Sequence, residues 1–351
     1  MASQPNLPDR AGRAATVTDV ARAAGVSHQT VSRVLNGHPS VRPDTRRRVQ
    51  EAIERLGYRR NSAARALVTK RSQALGVIGY ETTLYGPMRT LNGVERAARE
   101  AGYFVAVANS GVPTPASLRE AVSRLTDQGV EGIVVIAPVL GTVAALDTLR
   151  DTLPLVVAEG GVAPGLPVVS VDQELGARMA TRHLLDQGVD TVWHVAGPAN
   201  WLEAEARLAG WQQELVHAGA RVPDPPRGDW SPANGYEIGR KLARRGDVQA
   251  VFVANDQMAI GLLHAFAEAG IAVPDDVVVA GFDDVPEAAY YPPPLTTVRQ
   301  DFASVGQRSI ELLLDQIGGD RNFQKRVQVA PELIIRQSSQ RLAARHRSAH
   351  R

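Results

Sequence analysis

Residues 16–37 read TVTDVARAAGVSHQTVSRVLNG, and the spacing predicts two short helices joined by one sharp turn. Thr16 is placed to cap the first helix, and Asp19 three residues on completes a capping-box pattern. Val17, Val20, Ala21 and Ala24 then fall on one helical face. Gly25 follows, the residue type that takes a left-handed turn at least cost. Ser27 is a second cap, opening a helix from His28 to Leu35 that ends at Asn36-Gly37. On that helix Val31, Val34 and Leu35 point inward, while His28, Gln29, Ser32 and Arg33 point out. Glutamine and arginine have the geometry that matches purine edges in a major groove. The pattern is that of a helix-turn-helix whose second helix reads DNA. Helical domains without a nucleic-acid partner also use such helix pairs, so the surrounding charge has to decide.

The charge is unevenly distributed. Residues 1–72 carry 14 Lys/Arg against 5 Asp/Glu, whereas residues 73–335 carry 20 against 32. From Arg336 onward there are 5 arginines and no acid, which brings the whole chain back to +2. A basic head on an acidic body suits a phosphate-contacting module joined to a domain that does not touch DNA. The 351 residues exceed one ordinary domain, and the absence of cysteine excludes disulfides and thiolate metal sites. No signal-peptide-like segment or run of ~18 apolar residues is found, so a cytoplasmic protein with no membrane partner is expected.

Residues 1–15 read as a disordered arm, and residues 16–60 as an all-α headpiece. Its third helix starts at Pro43, has an apolar stripe of Val49, Ala52, Ile53 and Leu56, and ends at Gly57. Arg46, Arg47 and Arg48 near its start suit phosphates or water better than bases. A polar, basic connector runs from Tyr58 to Arg71, with residues 61–72 as hinge helix and linker, a cap at Asn61 and a marginal helix from Ser62 to Val68. Leu67 there is either a wedge for a minor groove or a residue packed on the body, and physics alone does not choose.

From Ala74 the texture changes. Short Val-rich runs at 74–80, 103–109, 131–137, 154–158, 166–171, 191–196, 249–253 and 276–282 alternate with amphipathic stretches such as 115–128, 174–187, 203–219, 233–245 and 256–269. This is an α/β body with parallel sheets, long enough for two lobes with a cleft between them. Ligands in such folds sit at the carboxyl ends of strands. The residues there run from Tyr80 to Pro87, then Glu159, Asp172, Pro198 to Arg207, Trp230, Asn255-Asp256 and Asp283-Asp284. Carboxylate, amide and guanidinium groups around an indole suit a sugar, whose C–H face lies on Trp230 while its hydroxyls take paired hydrogen bonds. Asn255 and Asp172 also stand where helix caps are common.

With these residues assembled, the chain resembles the lactose repressor family of sugar-responsive bacterial regulators from about Thr16 to Arg336. The resemblance rests on VTDVARAAGVSHQTVSRVLNG, RLAGW at 207–211, GDW at 228–230, VANDQMAIG at 253–261 and PPLTTVRQDF at 293–302. It implies a headpiece, a hinge helix over Asn61–Leu67 including Ala64, and a two-lobed core (73–336) like a periplasmic sugar-binding protein. It also implies His28, Gln29 and Arg33 as base readers, with Thr16, Thr30, Ser32 and Asn36 on the DNA face and Leu67 prying open a base step. In the cleft it implies Arg207, Asn255 and Asp283 as hydroxyl partners, Trp230 and Phe302 as stacking surfaces, Gln300 as a further ligand-binding residue, and Leu84 and Pro87 on the opposite lobe. Glu159 stands where the founding member has aspartate, Val171 where it has phenylalanine, and His28 where it has tyrosine. The end of the chain, RQSSQRLAARHRSAHR at 336–351, lacks the heptads of a coiled coil, and residues 337–351 of it read as a basic disordered tail.

The resulting expectation is a homodimeric repressor of sugar-utilisation genes on double-stranded operator DNA, released by a small-molecule sugar effector such as a β-galactoside. The alternative within the family is a regulator that needs its ligand to bind DNA, as purine-responsive relatives do. A free sugar-binding protein and a glycosidase are the other classes. The basic headpiece opposes the first, and the second needs two carboxylates at a fixed separation. No dinucleotide fingerprint, P-loop, zinc spacing or nucleophile elbow occurs, so neither a cofactor nor an enzyme is expected.

Overall fold

Helix boundaries in the first seventy residues follow directly from their caps. The computed structural model describes residues 15–35, 37–58, 71–80, 83–109, 114–136, 139, 146, 153–161, 165–319 and 325–341. The chain divides into two compact units, Met1–Ser72 and Gln73–Arg351. In the first, helix α1 (Val17–Ala24) opens on a reciprocal cap. The Asp19 N–H donates to the Thr16 hydroxyl oxygen at 3.3 Å, and the Asp19 carboxylate accepts the Thr16 N–H at 3.0 Å. Gly25 then turns the chain at φ 63°. Helix α2 (His28–Leu35) starts on Ser27, whose hydroxyl accepts the Thr30 N–H at 3.1 Å. Helix α3 (Pro43–Leu56) has proline in its first turn, where the missing N–H costs nothing, and stops at left-handed Gly57.

Val20, Val31 and Val49 meet with no exposed surface at the centre of these helices. Each such valine contributes roughly 1.5–3 kcal/mol relative to exposure. Two expectations need correction. Leu56 is 37% exposed rather than part of the apolar stripe, and Tyr58, read as the start of a polar connector, is buried in this core. The expected arm before residue 15, Asn36, and the hinge residues Asn61, Ala64 and Leu67 lie outside the described residues.

The second unit has two lobes. Strands β1 (Ala74–Gly79), β2 (Phe104–Asn109), β3 (Ile133–Ile136), β4 (Leu155–Ala158), β5 (Val168–Val171) and a late strand, β10 (Arg326–Val329), form one parallel sheet in the order β10-β5-β4-β3-β1-β2. Strands β6 (Trp193–Val195), β7 (Ala250–Val253) and β8 (Val278–Ala280) form the parallel sheet of the second lobe. Beside it β9 (Thr297–Arg299) pairs antiparallel with β11 (Glu332–Ile334). Helices α4 (Tyr85–Glu100), α5 (Pro115–Asp127) and α10 (Phe302–Ile317) cover the first lobe. The second carries α6 (Gln173–Leu185), α7 (Leu202–His217), α8 (Pro232–Ala243) and α9 (Asp256–Glu268). The chain therefore passes between lobes after β5, after β9 and after β10. No described helix is long and apolar enough to cross a membrane.

The expected disordered tail begins too early. Gln337–Ser339 form a 3-10 turn in which Ser338 and Ser339 are buried. The Ser338 hydroxyl donates to the Val279 carbonyl at 2.7 Å and accepts the Thr296 N–H at 2.8 Å. Hydrogen bonds, not apolar burial, hold this segment, so hydropathy does not reveal it. Residues 342–351 lie outside the described residues.

Helix pairs pack through glycine. A Cβ added at Gly93 of α4 would strike the Phe302 carbonyl, and one at Gly306 of α10 would strike the Gly93 backbone. Neither obstacle is a side chain that can swing aside. Gly306→Ala is accordingly expected to cost ~1–3 kcal/mol through overpacking, read as a melting temperature lower by several degrees. An unchanged melting temperature would mean that α4 and α10 do not approach this closely.

Candidate functional site

The second helix of the headpiece presents one polar face. His28, Gln29 and Arg33 are exposed, whereas Thr30 and Ser32 are half-buried. The Thr30 hydroxyl pairs with that of Ser27 at 2.9 Å, and Thr16 is used in the α1 cap. Of the nearby arginines, Arg46 donates to the His38 carbonyl and Arg47 to Asp44, leaving Arg48 exposed. The face offers two flat hydrogen-bonding side chains and an imidazole on a rigid helix, which is the equipment for base edges.

In the second unit a cavity of about 350 Å³ lies between the lobes. It gathers Leu84 and Pro87 from the first lobe, Glu159 from the end of β4, and Arg207, Trp230, Asn255 and Asp283 from the second lobe. Gln300 and Phe302, on the crossing after β9, complete the wall. Val171 is instead packed in the core of the first lobe and borders an adjoining cavity of about 110 Å³, as does Asp172. Asp172 caps α6 by accepting the Leu175 N–H at 2.9 Å.

Three hydrogen bonds closed into a ring by one ion pair organise the cavity floor. The Arg207 Nε–H donates to Gln173 Oε1 at 2.9 Å, and Gln173 Nε2 donates to Gln300 Oε1 at 2.7 Å. Gln300 Nε2 donates to Asp283 Oδ1 at 2.6 Å, and Asp283 faces the Arg207 guanidinium at 3.7 Å. Arg207 also donates to the Ala254 carbonyl and lies over the Phe282 ring, 3.9 Å from its centre. Gln173 sits on the crossing after β5 and Gln300 on the crossing after β9, so the ring ties two interlobe connections to the second lobe. Asn255 is similarly committed. Its oxygen accepts the Met258 N–H, and its amide donates to the Trp230 carbonyl at 3.1 Å and to Gln257. It caps α9 and holds Trp230 in place, leaving one lone pair for anything else.

Trp230, Asp283 and Glu159 have φ of 74°, 113° and 55°, a region that side-chain-bearing residues rarely occupy. Strain of this kind clusters at functional sites. Aromatic rings line the walls: Trp201 meets Trp230 edge-on at 5.7 Å, and Tyr85 meets Phe302 at 6.1 Å. Gln173, Trp201 and Glu203 also line the cavity. Sequence reasoning did not single them out, although 198–207 was marked as a strand-end segment. A periodicity test sees only polar helix starts there.

Burial dominates the electrostatics. It lifts Glu159 to about 7 despite help from the Val171 backbone and Arg207, and lifts Asp283 to about 6 against Arg207 and Gln300. Glu203 is also raised, first by burial and then by Glu159. Each folded-state value exceeds the ordinary carboxyl value, so the folded chain holds more protons and stability is lost as pH rises through the raised pKa values. The melting temperature of the full chain should therefore fall by ~5 °C or more between pH 5 and pH 8, and Glu159→Gln should flatten that slope. A chain equally stable at both pH values would show that these carboxyls are not desolvated.

Two family profiles match the chain: bacterial regulatory proteins of the lacI family over residues 16–61, and a periplasmic binding protein-like domain over residues 181–339. The lactose operon repressor of Escherichia coli is 35% identical over 306 residues, covering 85% of this chain and 84% of that protein. The HTH-type transcriptional repressor PurR of Photobacterium profundum is 31% identical over 334 residues, covering 92% and 98%. The crystal structure of the Lac repressor dimer bound to operator and the anti-inducer ONPF superposes with a TM-score of 0.83 at 31% identity, covering 93% of this chain and 99% of that one. Capped reading helix, two-lobed body and sequence relationship coincide over nearly the whole chain: it belongs to the lacI family of bacterial regulatory proteins, and is a DNA-binding transcriptional repressor rather than an enzyme.

Proposed function

We propose that this chain acts in the cytoplasm as a homodimer that represses sugar-utilisation genes from a palindromic operator, and that a saccharide, a β-galactoside or a related sugar, releases it. The observation that carries the reading is the Arg207–Gln173–Gln300–Asp283 ring beneath the Trp230 indole. Paired donors and acceptors next to an aromatic face suit a ring with hydroxyls at its edge and C–H bonds on its faces. The sugar stacks between Trp230 and Phe302, uses Arg207, Asp283, Gln300 and the remaining lone pair of Asn255 at its hydroxyls, and meets Leu84 and Pro87 from the other lobe. Glu159 closes the inner end, and Val171 shapes the wall behind it.

On DNA, His28, Gln29 and Arg33 read bases, and Thr16, Thr30, Ser32 and Asn36 surround them. Asn61, Ala64 and Leu67 form the hinge segment, with Leu67 inserted into the minor groove. A two-fold protein places two such helices on the two halves of a palindrome. A ligand contacting both lobes prefers one lobe angle, and that unequal affinity is what shifts the DNA-competent population. Coupling of this type is typically ~1–3 kcal/mol, or ~5–150-fold in affinity.

An electrophoretic mobility-shift assay with and without β-galactosides tests the sign. Weaker operator binding with sugar is expected; tighter binding would select the ligand-requiring alternative, and indifference to every saccharide would remove the sugar reading. Arg33→Ala should cost ~1–3 kcal/mol of operator affinity and relax discrimination at one base pair. Asp283→Asn should retain operator binding and lose the sugar response.

A further inference from the structure

Two carboxyls in the cavity wall have no use in the ring just described. Glu159 is 5% exposed, and neither of its buried oxygens makes a well-formed hydrogen bond, the Val171 backbone lending only weak help. Glu203, in the first turn of α7, has a buried Oε2 that is likewise unpartnered. Both line the main cavity and also the smaller one beside it, so they stand together where the two adjoin. After burial, the charge of Glu159 is what pushes Glu203 up.

One cation in the wall, Arg207, acts on both carboxyls, but it is shared with other partners. Arg207 is already engaged by Gln173, the Ala254 carbonyl and Asp283. Arg326 borders the smaller cavity from an exposed position on β10 and is absent from the charges acting on either carboxyl. Among the described residues there is no cluster of three or more His, Asp or Glu suited to a metal ion, which argues against a divalent metal in this role. Buried carboxylates need either protons or a positive partner with N–H donors. An ammonium group brings one charge and three donors, enough for the unpartnered oxygens on both side chains. A neutral hydroxyl brings one donor and no charge.

We propose that Glu159 and Glu203 form an ammonium subsite, and that the effector is accordingly an amino sugar with a free amine. This rests on the saccharide reading of the cavity. The amine sits between the two carboxylates while the rest of the ring stacks on Trp230. As the ammonium enters, a carboxyl that holds a proton in the empty cavity releases it, so one positive charge meets one new carboxylate and binding is coupled to proton release.

Titration calorimetry on the full chain at neutral pH, with galactosamine and glucosamine, their N-acetyl derivatives and the neutral parents galactose and glucose, tests this. At least one free amine should bind ~10-fold or more tighter than both its neutral parent and its N-acetyl derivative, with a heat that varies with buffer ionisation enthalpy as proton release requires. In Glu203→Gln, and separately in Glu159→Gln, the ratio of amine to neutral affinity should fall to about one, each variant first being checked for a cooperative melt. Two substitutions guard against one failing to fold. Neutral sugars binding as tightly as the amines, or the preference surviving both substitutions, would overturn the ammonium subsite while leaving the saccharide reading standing. If no sugar of any kind binds, the saccharide reading falls and the subsite falls with it.

Discussion

Arg207 is fully enclosed, and a guanidinium in that position must be surrounded by acceptors or it destabilises everything around it. Desolvation of such an ion costs several kcal/mol, and a buried pair often contributes little net stability. What the enclosure does is fix geometry. Asp283 neutralises the charge, Gln173 and Gln300 relay hydrogen bonds around it, and the Ala254 carbonyl takes a further donor. Those partners come from the end of β7, from the turn after β8 and from two crossings between lobes. Misplacing any of them leaves a buried polar group unpaired, so the relative placement of these elements is specified far more sharply than apolar contact alone would require.

The same economy recurs at Asp256, which is wholly buried at the start of α9. Its two oxygens accept the Thr297 hydroxyl at 2.7 Å and the Val285 N–H at 2.9 Å, pinning the turn that carries Asp283 to the strand that leads to Gln300. Around these polar anchors the helices approach to backbone contact. Gly235 and Gly261 bring α8 and α9 together as Gly93 and Gly306 do for α4 and α10. The cavity walls are consequently held by two stiff helix pairs, and what can move is the angle at the crossings between them.

Sequence periodicity located the eight strands from β1 to β8 because each lies in a short, mostly apolar, valine-containing run bounded by turn residues. It did not find β9, β10 and β11, which have three or four residues each and are partly polar, as in Arg326-Val-Gln-Val329. The headpiece was legible almost to the residue, since capping is local chemistry between Thr16 and Asp19 or Ser27 and Thr30. In the cavity, Trp230, Asn255 and Asp283 could be singled out because each stands at the end of a strand or the start of a helix, and Arg207, inside α7, because it opens the RLAGW motif. Gln173 and Glu203 could not, because a glutamine or glutamate in a first turn usually faces water, and only the tertiary crossing turns these two inward. The buried Ser338 and Ser339 escaped for a related reason: hydroxyls in a polar stretch carry no hydropathic mark of burial.

All four tryptophans of the chain, Trp193, Trp201, Trp211 and Trp230, belong to the second lobe, and two of them face the cavity. The reading headpiece has none. Emission excited at wavelengths where only tryptophan absorbs is therefore a spectroscopic window on one lobe only, free of any fluorophore in the headpiece helices. Any change in quantum yield or emission wavelength when an operator duplex is added would be duplex binding registered in the second lobe without a label.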